Sequence, residues 1–232
     1  TVREVGFTGG EPFMNPGIIA MLEAALGCGH AVLVLTNAMA PLRHHRPALL
    51  VLRERFGARL TLRVSIDHHT PAVHEAERGP NSWAPMLDGL VWLSRNGFSI
   101  AVAGRRLAGE SEAEARAGYA ALFATHAIAI DAADPARLVL FPEMDATRDV
   151  PEITEACWGI LGKAPSSVMC ATSRMVVHRK GEPEARVVAC TLLPHDPGFD
   201  LGASMAEADR PVSLNHPHCA RFCVLGGASC SA

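Results

Sequence analysis

Short apolar runs alternate with amphipathic stretches from residue 2 to residue 142, and this alternation constrains the fold more than any other feature of the chain. Five runs, near residues 2–8, 31–36, 60–66, 98–103 and 138–141, are dense in Val, Ile, Leu and Ala and too short for ordinary helices. Between them, apolar residues recur at helical spacing. Ile18, Met21, Leu22, Ala25 and Leu26 form one stripe, and Trp83, Leu87, Leu90 and Val91 form another. Strands that are apolar throughout, and not alternating, are buried on both faces, so the pattern predicts a parallel sheet with crossover helices. A chain of 232 residues suits one large or two small domains. Its hydrophobic content of 49% supplies a core, which Leu, Val, Ile and Ala must fill because aromatics are only 5%.

Local signals mark the helix ends. Asn15-Pro16 reads as a cap followed by proline at the first helical position, and Gly27 and Gly29 end that helix. A helix near Arg46 to Phe56 is closed by Gly57. Ser82 starts the next, with Trp83, Met86 and Trp92 as core residues, and Asn96-Gly97 stops it. Ser111-x-x-Glu114 is a capping box for a helix running to about Ala124.

Polar residues follow the apolar runs. Gly9, Gly10, Glu11 and Pro12 leave the first, Asn37 the second, Ser65 and Asp67 the third, and Arg105 the fourth. Paired glycines let the main chain turn at positive φ and approach a ligand, and Pro12 stiffens the turn. Parallel barrels place their chemistry at the C-terminal ends of the strands, where these residues sit. Each also has a plain structural role open to it. Ser65 can bond its own backbone, Asp67 can cap a helix starting near Thr70, Asn37 can favour its turn, and Arg78 and Arg105 can be solvated. Glu143, at the end of the last run, can face a substrate or be a plain surface carboxylate.

The ordered series Phe7-Thr8-Gly9-Gly10-Glu11-Pro12-Phe13-Met14-Asn15-Pro16, Leu35-Thr36-Asn37, Val64-Ser65-Ile66-Asp67 and Glu77-Arg78-Gly79 resembles the radical S-adenosylmethionine (radical SAM) superfamily. It looks most like members with a C-terminal SPASM or twitch iron–sulfur domain. The resemblance runs from about Val2 to Pro142 and from about Cys170 to Cys230. It implies an α/β chain with a partial (β/α)6 TIM-type barrel lacking its first strand, followed by a small irregular cysteine-rich domain with a β-hairpin. The domains are expected at residues 1–165 and 166–232. The resemblance also assigns a cofactor site. Gly9, Gly10, Glu11 and Pro12 receive the amino group of SAM, Asn37 supports it, Ser65 and Asp67 reach the ribose, and Arg78 pairs with the carboxylate.

A family member of this shape uses a reduced [4Fe–4S] cluster to split SAM into methionine and a 5′-deoxyadenosyl radical, which takes hydrogen from a peptide or small-molecule substrate. It draws electrons from a donor such as a flavodoxin or ferredoxin. The loop that binds that cluster, C-x3-C-x2-C, does not occur in this sequence. The chain is therefore read as a fragment that does not cleave SAM by itself. The competing reading is a non-catalytic peptide-binding scaffold with a degenerate barrel and a structural zinc.

After residue 142 the texture changes. A helix is expected over Val150 to Leu161, and a hairpin over Arg174 to His178 and Arg186 to Thr191 around Lys180-Gly181. From Leu193 the pattern is irregular and rich in proline. Apolar burial orders such a tail poorly, and a metal supplies the missing constraint. Of seven cysteines, five follow residue 169: Cys170, Cys190, Cys219, Cys223 and Cys230. The first pair, flanking Gly181, resembles the opening of a SPASM or twitch domain with an auxiliary [4Fe–4S] cluster, for which four thiolates suffice. Zinc also takes four thiolates, and disulfides need an oxidising compartment. Cys28 and Cys157 are expected in helices as buried, inert thiols. His44-His45 and His68-His69 are expected to be solvated, while His216 and His218 flank Cys219. A net charge of −3 excludes a broadly basic nucleic-acid binder, and no apolar run approaches the roughly 18 residues of a membrane span. A cytoplasmic protein is expected.

Overall fold

The computed structural model describes residues 2–143 and 149–226, so Cys230 lies outside the described residues. The chain divides into two compact units, Thr1–Phe141 and Pro142–Ala232.

The first unit winds strand and helix in turn: β1 (Glu4–Phe7), α1 (Ile18–Gly27), β2 (Ala31–Thr36), α2 (Ala40–His44), α3 (Arg46–Phe56), β3 (Leu60–Ile66), α4 (Pro71–Arg78), α5 (Trp83–Arg95), β4 (Ser99–Arg106), α6 (Glu112–Thr125) and β5 (Leu138–Pro142). The sheet order is β1-β2-β3-β4-β5, the curled half of a TIM-type barrel. The register sets Phe7 beside Val34, Thr36 beside Val64, and Ile66 beside Gly104, all in parallel pairs. The C-terminal ends of β1 to β4 therefore form one edge.

Strand parity separates two faces. Val32, Val34, Leu62, Val64, Ile100 and Val102 join Leu22, Leu49 and Leu90 of the helices in one core cluster. The opposite parity carries Leu33, Arg63, Ser65, Ala101 and Ala103, of which Arg63 is 2% exposed.

Two helix starts illustrate local control. The Ser111 hydroxyl accepts from the Glu114 amide at 3.2 Å while the Glu114 carboxylate accepts from the Ser111 amide at 2.8 Å, forming the expected capping box. The other expectation needs correction: α1 begins at Ile18 with Gly17 as its cap, not at Asn15-Pro16. The Asn15 side-chain oxygen accepts from the Gly17 amide at 2.9 Å, so the asparagine closes a separate turn ahead of the helix. Tyr119 ties α6 to the sheet, its buried hydroxyl donating to the Ile66 carbonyl at 2.7 Å. The Met86 side chain is buried in the core, with Trp83 and Trp92 packed against it.

The second unit contains α7 (Ala156–Leu161), α8 (Met169–Thr172), β6 (Met175–Val177), β7 (Arg186–Val188) and β8 (Asp200–Gly202), with a π-helix over Cys219–Leu225. β6 and β7 make the expected antiparallel hairpin, and β8 adds a third strand. The helix expected from Val150 begins only at Ala156. Asp200 holds the sheet's loops together, with Arg186 at 2.8 Å and Arg179 at 3.3 Å. The Arg186 hydrogen bond, with further help from Gly202 and Arg179, draws the Asp200 carboxyl down to about 2. Among the described residues no helix is long and apolar enough to cross a membrane.

Candidate functional site

The turn after β1 is built for close approach. Gly9 and Gly10 hold φ of 95° and 48°, a region L side chains avoid, and no atom beyond the adjoining residues lies within 4 Å of where a Cβ would stand on either. Glu11 follows and stitches two strand exits together. One carboxylate oxygen accepts from the Thr36 hydroxyl at 2.8 Å and the Phe13 amide at 3.1 Å, and the other accepts from the Asn37 amide at 2.7 Å. The Thr36 hydroxyl in turn accepts from the Ala38 amide at 3.0 Å, while the Asn37 side-chain oxygen accepts from the Met39 amide at 2.9 Å. Pro12 is buried at the start of the short 3-10 turn Pro12–Met14. A carboxylate offers about four lone-pair sites, and three are used here.

A second polar group lies along the same edge. Asp67, just past β3, accepts from the Nε of Arg78 and lies 3.6 Å from the Arg105 guanidinium, which also donates to Glu77 at 2.6 Å. Arg78 closes α4 and Arg105 belongs to the end of β4. Ser65 is half-buried two residues before Asp67, in register with Ala103. The structure thus joins Glu11 to Asn37 and Asp67 to Arg78, and places Ser65 on the strand between them. The helix cap near Asp67 is Thr70, whose side chain makes no capping hydrogen bond.

In the second unit Cys170 of α8, Cys190 just after β7, and Cys219 and Cys223 of the π-helix line a single cavity, which His218 also borders. Met169, Leu193 and Phe199 wall it. Burial pushes the Cys219 thiol up to about 11, with the thiols of Cys190 and Cys170 adding to the effect. Burial also raises Cys170, helped by Cys190, and raises Cys190. Burial lowers His218, with His216 adding to the shift. At neutral pH these groups are uncharged, and a metal entering the cavity displaces protons from the thiols.

The sign of the pH effect follows. A thiol raised by folding stabilises the metal-free fold below its ordinary value of 9.0, and that contribution disappears as pH rises to about 11. Metal-free protein is therefore expected to lose stability in the second unit over this window, measured by thermal unfolding at stepped pH. A flat profile from pH 8 to 11 contradicts it.

Several residues behave differently from their sequence reading. Cys28 is exposed, and Cys157 is only half-buried, because α1 ends at Gly27 and α7 is a short surface helix. His44 is exposed as expected, but His68 is 6% exposed and its ring lies against His69 at 4.0 Å. His74 is fully buried, its Nδ1 accepting from the Asp67 amide at 3.3 Å. Arg63, inside the otherwise mostly apolar strand β3, is 2% exposed.

No known sequence family matches the chain, and no curated protein matches it. Among solved structures it is similar to SuiB of Streptococcus suis, at 12% identity and a TM-score of 0.48, over 66% of this chain and 33% of that one. It is similar to TYW1 with a lysine–pyruvate adduct bound, at 14% identity and a TM-score of 0.44, over 63% and 44% of the two chains. A structure of SuiB bound to S-adenosylmethionine matches at 11% identity and a TM-score of 0.43, over 66% and 33%. The chain spans less than half the length of each of these proteins.

Proposed function

We propose that the first unit seats S-adenosylmethionine at the C-terminal edge of its sheet, that the second holds an auxiliary iron–sulfur cluster, and that both belong to a radical SAM enzyme acting on a peptide or small molecule. The observation that carries this reading is the clasp of Glu11 on Thr36 and Asn37. Two motif segments 25 residues apart are bonded directly, and a third, around Ser65 and Asp67, lies on the next strand of the same edge.

The side chains suit the cofactor. The open backbone of Gly9 and Gly10 and the unused lone pair of Glu11 suit an ammonium group. The Ser65 hydroxyl suits a ribose. Arg78 spends its Nε on Asp67 and has further N–H donors for a carboxylate. Bound with a reduced [4Fe–4S] cluster, SAM supplies the oxidising power for hydrogen abstraction, while these residues orient it and exclude water. The sequence holds no C-x3-C-x2-C segment, so this chain binds SAM without cleaving it.

The thiol spacing favours iron in the tail. Zinc bonds of roughly 2.3 Å place tetrahedral sulfurs about 3.8 Å apart. Among the described residues only His68, His69 and Glu110 bring three ligand atoms within 4.8 Å of one another, so no three cysteine sulfurs do. Four cysteines around one cavity at wider spacing suit a larger multi-iron core. Electrons then come from a small carrier such as a flavodoxin or ferredoxin, in the reducing cytoplasm where thiols persist.

Calorimetric titration with SAM tests the first unit. One SAM per chain is expected, weakened at least about tenfold by Glu11→Gln, since a charge-assisted bond contributes about 1.5–3 kcal/mol. No heat at SAM concentrations up to about 1 mM, the weakest affinity of interest, overturns the assignment.

A further inference from the structure

His68, His69 and Glu110 lie together at the end of the first unit's sheet, on the segments that follow β3 and β4. One ligand atom from each falls within 4.8 Å of the other two. We propose that these three side chains bind a divalent first-row metal ion, with zinc the best-suited probe, leaving one coordination position open. This site is independent of the SAM assignment and of the tail cysteines.

The separations fit a metal better than the direct contacts they replace. His68 Nε2 and Glu110 Oε1 are 3.6 Å apart, too far for a hydrogen bond though nothing in their chemistry keeps them from forming one. Bonds of roughly 2.1 Å to a tetrahedral zinc set nitrogen and oxygen ligands about 3.4 Å apart, close to that gap. His69 adds an independent signal. Its Nδ1 is buried without a hydrogen-bond partner, a costly state that ligation of a metal through that nitrogen relieves. The ring cannot easily swing away, because it packs edge-on to Tyr119 at 5.6 Å and against Gly118, where a Cβ would come within 2.4 Å of it.

Surrounding groups hold the ligands in place. Both Thr70 groups reach His68 Nδ1: the amide at 3.1 Å, from which the nitrogen can accept, and the hydroxyl at 2.8 Å, to which it can donate. A metal at Nε2 selects the second arrangement, the support usual for metal-bound histidine. The Leu107 amide donates to the other oxygen of Glu110 at 3.2 Å and orients the carboxylate. Burial lowers His69 and keeps its imidazole neutral, as a ligand must be. Two imidazoles and a carboxylate suit zinc, and the same set suits iron(II).

Equilibrium dialysis of the full chain against micromolar zinc tests the site. The tail thiols are common to every variant, so zinc held there cancels in the comparison. The wild-type chain is expected to retain one more zinc than His69→Gln or Glu110→Gln, with affinity at the site lowered at least about tenfold in each. Thr70→Val removes only the supporting hydroxyl and caps nothing, so it serves if the ligand variants do not fold. It too is expected to weaken zinc about tenfold, while the loss of one hydrogen bond leaves the chain folded without zinc. Equal zinc content in the wild type and every folded variant overturns the proposal.

Discussion

Cys219→Ser is expected to abolish the iron retained after anaerobic reconstitution, with loss of the broad visible absorbance of the cluster. The wild-type chain is expected to hold about four iron atoms, the content of one [4Fe–4S] cluster. The position decides the size of the effect. Cys219 is 8% exposed, at the N-terminal end of the π-helix, and shares its cavity with Cys170, Cys190 and Cys223. A serine there keeps the shape and removes one soft donor of four. Cys28→Ser is the matched control, because that thiol is exposed at the end of α1. Iron and sulfide analysis of both variants is the measurement. Unchanged iron in Cys219→Ser removes the cluster from this cavity, and stoichiometric zinc with no iron in the wild type favours the scaffold reading of the tail.

Gly89→Ala should lower the thermal midpoint by roughly 4–8 °C, the shift that a net loss of about 2 kcal/mol produces in a chain of this size. Two effects oppose each other. In a helix interior alanine is favoured over glycine by about 1 kcal/mol. Against that, a Cβ on Gly89 would fall 1.9 Å from the Ala38 carbonyl oxygen and 2.9 Å from its carbonyl carbon. Backbone cannot rotate away as a side-chain tip can, and overpacking of this kind costs about 1–3 kcal/mol or more. Ala38 is 1% exposed and held at φ 57°, one residue after Asn37. Displacing it strains the segment clasped by Glu11, so SAM affinity is expected to fall along with stability. Scanning calorimetry and the SAM titration together check this. A midpoint equal to or above the wild type's shows that helix propensity wins.

The strands and the Ser111 cap were legible because their signals are local: apolar runs, and an acid three residues after a serine. The Glu11 region was legible only as a glycine-rich turn open to a ligand. Its bonds to Thr36 and Asn37 depend on register between strands, which no local pattern encodes. The same limit hid the histidines. His68-His69 follows a strand and reads as a polar loop, but Tyr119 and Gly118 of α6, some fifty residues on, bury and hold it. β8 is three residues long among prolines and glycines, too short for any period to show. The π-helix at Cys219 lies in the stretch that reads as irregular, because seven residues are too few for a helical period to show.

The clasp at Glu11 has a thermodynamic consequence. Because its hydrogen bonds join adjacent strand ends within the protein itself, the rim is preorganised. Most of the entropy lost in shaping that loop is lost when the chain folds, so a small molecule arriving later meets a surface that needs little further ordering.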